Sequence, residues 1–185
     1  MPNPSVNPAS LSAVPHASLR ALRAALVRDL GDGFANVLQE AGYAGGESVF
    51  GAFREWCVAK GVGAPESLPL SRFQASAAEF FAQAGWGTVT ITPVKDVAVA
   101  FDCDEWSESD PAAGMPYPSC YYSAGMLADF FGRVADGQLG CMEVECRSNG
   151  GTRCRFLLGS PEVLGHVYQR LTEGVTYDVA LNELG

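Results

Sequence analysis

An α+β domain built on an antiparallel sheet is predicted from three observations. Apolar residues recur at three- and four-residue steps as far as about residue 84, then alternate from Gly87 onward. Two hairpin-like segments follow, with one helical segment between them, so the order is helices, hairpin, helix, hairpin, helix. The chain has 185 residues, 48% hydrophobic and 18% charged, which suits one globular domain with a substantial core.

Residues 1–15 hold four prolines and little periodicity, and read as a disordered arm. A helix over 16–30 follows, with Leu19, Leu22, Leu26 and Leu30 on one face; that stripe either covers the sheet, the commoner arrangement, or forms a dimer seam. Arg20, Arg23 and Arg28 read as its solvated face. Gly31-Asp32-Gly33 breaks this helix, and the domain proper is expected over 31–175. Within it, a helix over about 34–41 meets Gly42-Tyr43-Ala44-Gly45-Gly46, either a stop or a close-packing glycine cluster. Further helices are expected over about 47–60, with Val49, Phe53 and Trp56 apolar, and over about 71–84, with Phe73, Ala77, Phe80 and Phe81 apolar.

The period then becomes two. Residues 87–92 and 96–103 read as strands around a turn near Pro93-Val94-Lys95, and 106–118 is a polar loop. Ser119 is the expected N-cap of a helix running to about Val134. A second hairpin occupies about 139–158, and Ser160-Pro161-Glu162 starts a helix that ends near Glu173. Residues 176–185 are left as a tail.

A net charge of −9 argues against non-specific nucleic-acid binding, so any role in transcription would pass through a partner protein. No apolar run is long enough for a membrane span, and the N-terminus lacks the features of a secretory signal. A cytoplasmic location is expected, where thiols and metal thiolates are favoured over disulfides. Enzymatic activity has little support. There is no strand–GxGxxG–helix site, no Cys-x-x-Cys pair, and only two histidines, His16 and His166.

The cysteines are more informative. Asn149-Gly150-Gly151 supplies the positive-φ positions of a tight turn, and Cys146 and Cys154 lie four residues to either side of Gly150. Two thiolates across a hairpin tip are half of a tetrahedral zinc site, which Cys120 and a nearby carboxylate could complete. A disulfide, or thiols buried as small apolar groups, are the alternatives.

The stretch 106–156 resembles the 4-vinyl reductase domain, a small-molecule-binding module. The matching residues are Trp106 followed by Ser109, Pro118-Ser-Cys120, the helix carrying Gly125, Glu143-Val-Glu-Cys146, and Gly151-Thr-Arg-Cys154-Arg-Phe156. Gln39-Glu-Ala-Gly-Tyr-Ala-Gly-Gly-Glu47 resembles an earlier part, and the likeness spans roughly 30–172. It implies a fold shared with the Golgi transport-particle subunits, frequent homodimerisation, and, as in phenol- and xylene-responsive regulators, zinc held by three cysteines and a glutamate. Those ligands fall on Cys120, Glu143, Cys146 and Cys154.

Strand alternation alone puts Cys141, Glu143 and Glu145 on one face and Cys146 on the other, so the chain must bend near Cys146. A closed four-ligand site implies structural zinc with a net charge of −2, which Arg147, Arg153 or Arg155 could offset. Trp106 matches a pocket tryptophan of the phenol sensors; its indole N–H could donate to a ligand, or the ring could be plain core. Phe80, Trp86, Phe101, Tyr121, Tyr122, Met126 and Phe130 are further lining candidates. The histidine that the phenol sensors pair with their tryptophan has no counterpart, so phenol specificity does not carry over. The resulting expectation is a stand-alone zinc-containing sensor or carrier domain for a hydrophobic or aromatic small molecule. The alternatives are a tetrapyrrole-binding accessory protein of (bacterio)chlorophyll synthesis and a structural adaptor with no ligand.

Overall fold

A computed structural model describes residues 11, 12 and 14–185; most of the expected arm, residues 1–10 and 13, lies outside the described residues. Leu11 packs, half-buried, against the core. Six helices and four strands follow among the described residues, in the order α1 (His16–Leu30), α2 (Phe34–Ala59), α3 (Leu70–Gln83), β1 (Val89–Val94), β2 (Ala98–Cys103), α4 (Tyr121–Ala135), β3 (Gly140–Glu145), β4 (Cys154–Gly159), α5 (Pro161–Thr172) and α6 (Tyr177–Asn182). The strands form one antiparallel sheet in the order β1-β2-β4-β3, the predicted α+β architecture.

Period-two alternation gives the sheet two buried faces. Phe101 and Cys103 of β2 and Cys154, Phe156 and Leu158 of β4 join the main core with α2, α3 and α4. The intervening Ala98, Ala100 and Leu157 face a second, smaller core with Leu164 and Val167 of α5 and Ala180 and Leu181 of α6. The expected tail over 176–185 is therefore a packed helix. Tyr177, whose hydroxyl bonds to Glu145 and accepts from Arg155, helps to fix it in place.

The predicted break at Gly42–Gly46 does not occur, and α2 runs through it for 26 residues. The close-packing alternative explains why. A Cβ on Gly42 would lie 1.9 Å from the Tyr122 carbonyl oxygen, and one on Gly125 would lie 2.0 Å from that of Gln39. The backbones of α2 and α4 touch at these two glycines. Tertiary contact thus overrides the low helix propensity of glycine.

The reading of α1 is reversed. Leu22 and Leu30 are about half exposed, while Arg23, expected in solvent, is the one buried residue of the helix at 5% exposure. The core beneath α1 is already closed by α2, which leaves the leucine stripe without the sheet contact expected of it.

Candidate functional site

The metal-ligand set assembles where β3 departs from regular pairing. Glu143 opposes Phe156 and Glu145 opposes Arg155, so Val144 is an extra residue, a β-bulge. The bulge inverts the alternation beyond it. Glu143 and Cys146 consequently share the inner face with Cys154, and Glu145 turns outward; this is the bend that the alternation argument required. A 3-10 turn at Arg147–Asn149 and a left-handed Gly150 close the hairpin tip. Cys120 arrives from the residue before α4.

Ligand atoms of Cys120, Glu143, Cys146 and Cys154 all lie within 4.8 Å of one another. The Cys120 and Cys146 sulfurs are 3.7 Å apart. Four ligands at zinc–sulfur bond length span a tetrahedral edge of about 3.8 Å, so the spacing suits a metal. Glu143 Oε2 accepts the Cys120 N–H at 2.8 Å, whereas its Oε1 is buried with no hydrogen-bond partner among the described residues. An orphaned buried carboxylate oxygen facing three thiols is what a cation would satisfy. The cluster could hold a metal ion.

Electrostatics points the same way. Thiol donors from Cys120 and Cys154, with N–H donors from Ser119 and Ser148, hold Cys146 far below the usual thiol range despite its burial. Cys120 is pushed well up by the neighbouring Cys146 and Cys154 and by burial. Burial, and then the charge of Cys146, raises Glu143 to about 9. With protons alone, the pocket stabilises one thiolate; a dication would stabilise every ligand in its ionised form.

The expected arginine counter-charges are elsewhere. Arg153 chelates Glu145 at 2.8–2.9 Å and Arg155 chelates Asp102 at 2.7–2.8 Å, both on the outer face of the sheet. The bulge separates them from the cluster. Arg147 contributes its backbone N–H to Cys154.

Ser119 does not cap α4, and its hydroxyl is buried without a partner among the described residues. The capping group is Glu108, whose carboxylate accepts the N–H groups of Tyr122 (3.1 Å) and Ser123 (2.7 Å) and the Ser123 hydroxyl. The Trp106 indole N–H, considered above for a ligand, donates instead to Ser123 Oγ at 2.7 Å. Phe80, Phe101, Met126 and Phe130 are fully enclosed with Trp106 in the main core, and Trp86 stacks between Trp106 and Tyr122.

Tyr121 is the exception among the aromatic candidates. It faces a groove of about 990 Å³ between α4, α5 and the edge strand β3, with Cys120, Cys141 and Glu143 along one wall. Sequence reading missed this groove because Tyr117, Leu164 and Tyr168, which also line it, are scattered over a loop and a helix far apart in the chain. It also missed Ser148, whose N–H donates to Cys146 Sγ and whose hydroxyl accepts from Asp110 N–H and Arg23. A serine two residues after a ligand cysteine was the available signal.

The family model of the 4-vinyl reductase domain matches residues 103–160, which contain all four cluster residues. No curated protein matches the chain. Among solved structures, the phenol-responsive sensory domain of the transcription activator PoxR, with phenol, has 16% identity and a TM-score of 0.64 over 82% of this chain and 77% of that one. Trafficking protein particle complex subunit 3 from Naegleria fowleri, covalently bound to palmitic acid, has 15% identity and a TM-score of 0.61 over 78% and 91%. A vinyl-4-reductase family protein from Methanocaldococcus jannaschii has 16% identity and a TM-score of 0.49 over 80% and 82%. By the matched segment and the shared fold, the chain belongs to the 4-vinyl reductase domain family.

Proposed function

We propose that this chain is a sensor or carrier domain for a hydrophobic or aromatic small molecule, with a structural zinc held by Cys120, Glu143, Cys146 and Cys154. The observation that carries the reading is a shared wall: Cys120 and Glu143 belong both to the metal-ligand set and to the 990 Å³ groove. Groove volume and aromatic lining suit a small apolar ligand. Three thiolates favour a soft or borderline cation such as zinc over calcium or magnesium.

Bound zinc would cross-link three elements, and four protein ligands leave no position for a substrate. Cys120 fixes the start of α4, Glu143 fixes the edge strand, and Cys146 with Cys154 fixes the hairpin tip. Holding that wall lowers the ordering cost of binding. Tyr121 contacts the ligand in this reading, while Phe80, Trp86, Phe101, Trp106, Tyr122, Met126 and Phe130 support α4 from its buried side. A cytoplasmic homodimer, with exposed Leu22 and Leu30 in its seam, completes the proposal.

Native mass spectrometry of protein purified without chelator tests it. One zinc per chain, absent from Cys146→Ser, together with a bound small molecule is the expected result. A disulfide mass shift in metal-free protein would overturn the zinc. Zinc with no ligand, natural or from a screen, would favour a structural adaptor.

A further inference from the structure

The charge of the groove narrows the class of its ligand, an inference that rests on the ligand-binding reading above. Among the described residues, Glu143 is the sole charged member of the groove's lining, which includes no lysine, arginine or histidine. The cations on the surrounding helices are engaged elsewhere. Arg133 of α4 pairs with Asp129 and Glu47, and Arg54 of α2 pairs with Glu66. On α5, Arg170 pairs with Glu173 and Glu183, and His166 contacts Glu183. Arg153 and Arg155 sit across the sheet with Glu145 and Asp102.

The described lining therefore contains nothing to neutralise an anion. Its shared wall is negative, since three thiolates and a carboxylate around a dication leave −2, and the whole chain carries −9. Tyr43, Tyr117, Tyr121 and Tyr168 contribute aromatic rings to the lining. Aromatic faces beside a negative wall attract organic cations.

We propose that the groove takes a lipophilic organic cation, its apolar body along α4 and α5 and its ammonium head towards Glu143 and the tyrosines. Carboxylate amphiphiles of the same shape are rejected.

Three probes with one aromatic body test this on the full, metal-loaded chain: (2-naphthylmethyl)trimethylammonium, 2-naphthalenemethanol and 2-naphthoate. The control is Gly165→Trp. Gly165 lies exposed on α5 within the lining, and a Cβ there meets nothing within 4 Å, so the indole can fill the groove without disturbing the fold. Titration calorimetry is expected to give the ammonium an affinity at least about ten-fold above the carboxylate, with the alcohol between them. Gly165→Trp, with metal content and circular dichroism unchanged, is expected to abolish binding. Carboxylate binding as tight as the ammonium's overturns the cation assignment but leaves ligand binding intact. Ammonium binding that survives Gly165→Trp overturns the location and marks general attraction to an acidic surface. Failure of all three probes overturns this inference and removes support from the ligand-binding reading as well.

Discussion

At Glu108, burial and hydrogen bonding act in opposite directions. Desolvation raises the carboxyl to about 7, even though the Ser123 hydroxyl and the N–H groups of Ser123 and Tyr122 favour its ionised form. A carboxyl raised on folding binds a proton that the unfolded chain releases near pH 4.5, so its contribution to stability falls as pH rises through about 7. Glu108→Gln keeps the shape, cannot titrate, and places an amide against one backbone N–H. Urea unfolding should show a destabilisation that shrinks by about 1 kcal/mol between about pH 6 and pH 8. A constant difference would mean that Glu108 does not titrate in this range. The sequence did not mark Glu108, because it acts on α4 from a polar loop without pattern. The four cluster residues were legible through resemblance. The bulge that unites them was legible only as a need for a bend, since Val144 carries no turn signal.

The helices show how neighbours decide what a segment does. Propensity placed a break at Gly42, but the contact with α4 makes glycine obligatory there and at Gly125. Gly125→Ala would improve helix propensity in isolation. Its Cβ would nevertheless meet backbone at 2.0 Å, which no side-chain rotamer relieves. The expected cost is about 3 kcal/mol or more, read as a lower denaturant midpoint; a neutral result would mean that α2 and α4 separate freely.

α1 depends on a polar anchor. The Arg23 guanidinium bonds to the Glu108 carbonyl at 3.1 Å and to Ser148 Oγ at 3.3 Å, with Asp110 at 3.8 Å. Periodicity cannot reveal such an anchor, because it sorts residues by polarity and assigns every arginine to solvent. Arg23→Ala removes these bonds and leaves buried acceptors unpaired, costing α1 docking about 2–3 kcal/mol. Hydrogen exchange should then rise throughout 16–30 while α3 and the sheet stay protected. Unchanged protection of α1 would show that its leucines hold it instead.

For the molecule as a whole, the question is how much of the fold depends on metal. Small zinc modules unfold without their ion because they lack another core. Here Phe53, Phe80, Phe81, Phe101, Phe130 and Phe156 are fully buried, and a second core lies across the sheet. The cluster sits at one end of this scaffold, joining the tip between β3 and β4 to the start of α4. This arrangement predicts that a strong chelator, or Cys146→Ser, lowers the melting temperature without removing cooperative unfolding. Exchange protection should fall over 104–120 and 143–154 and persist in α3, β2, α5 and α6. Global loss of protection would mean that the aromatic core cannot close without the metal. Unchanged protection around Cys120 would mean that Glu108 and Glu143 hold α4 unaided. Only the localised outcome is consistent with a metal that shapes one wall of the groove on a fold that stands without it.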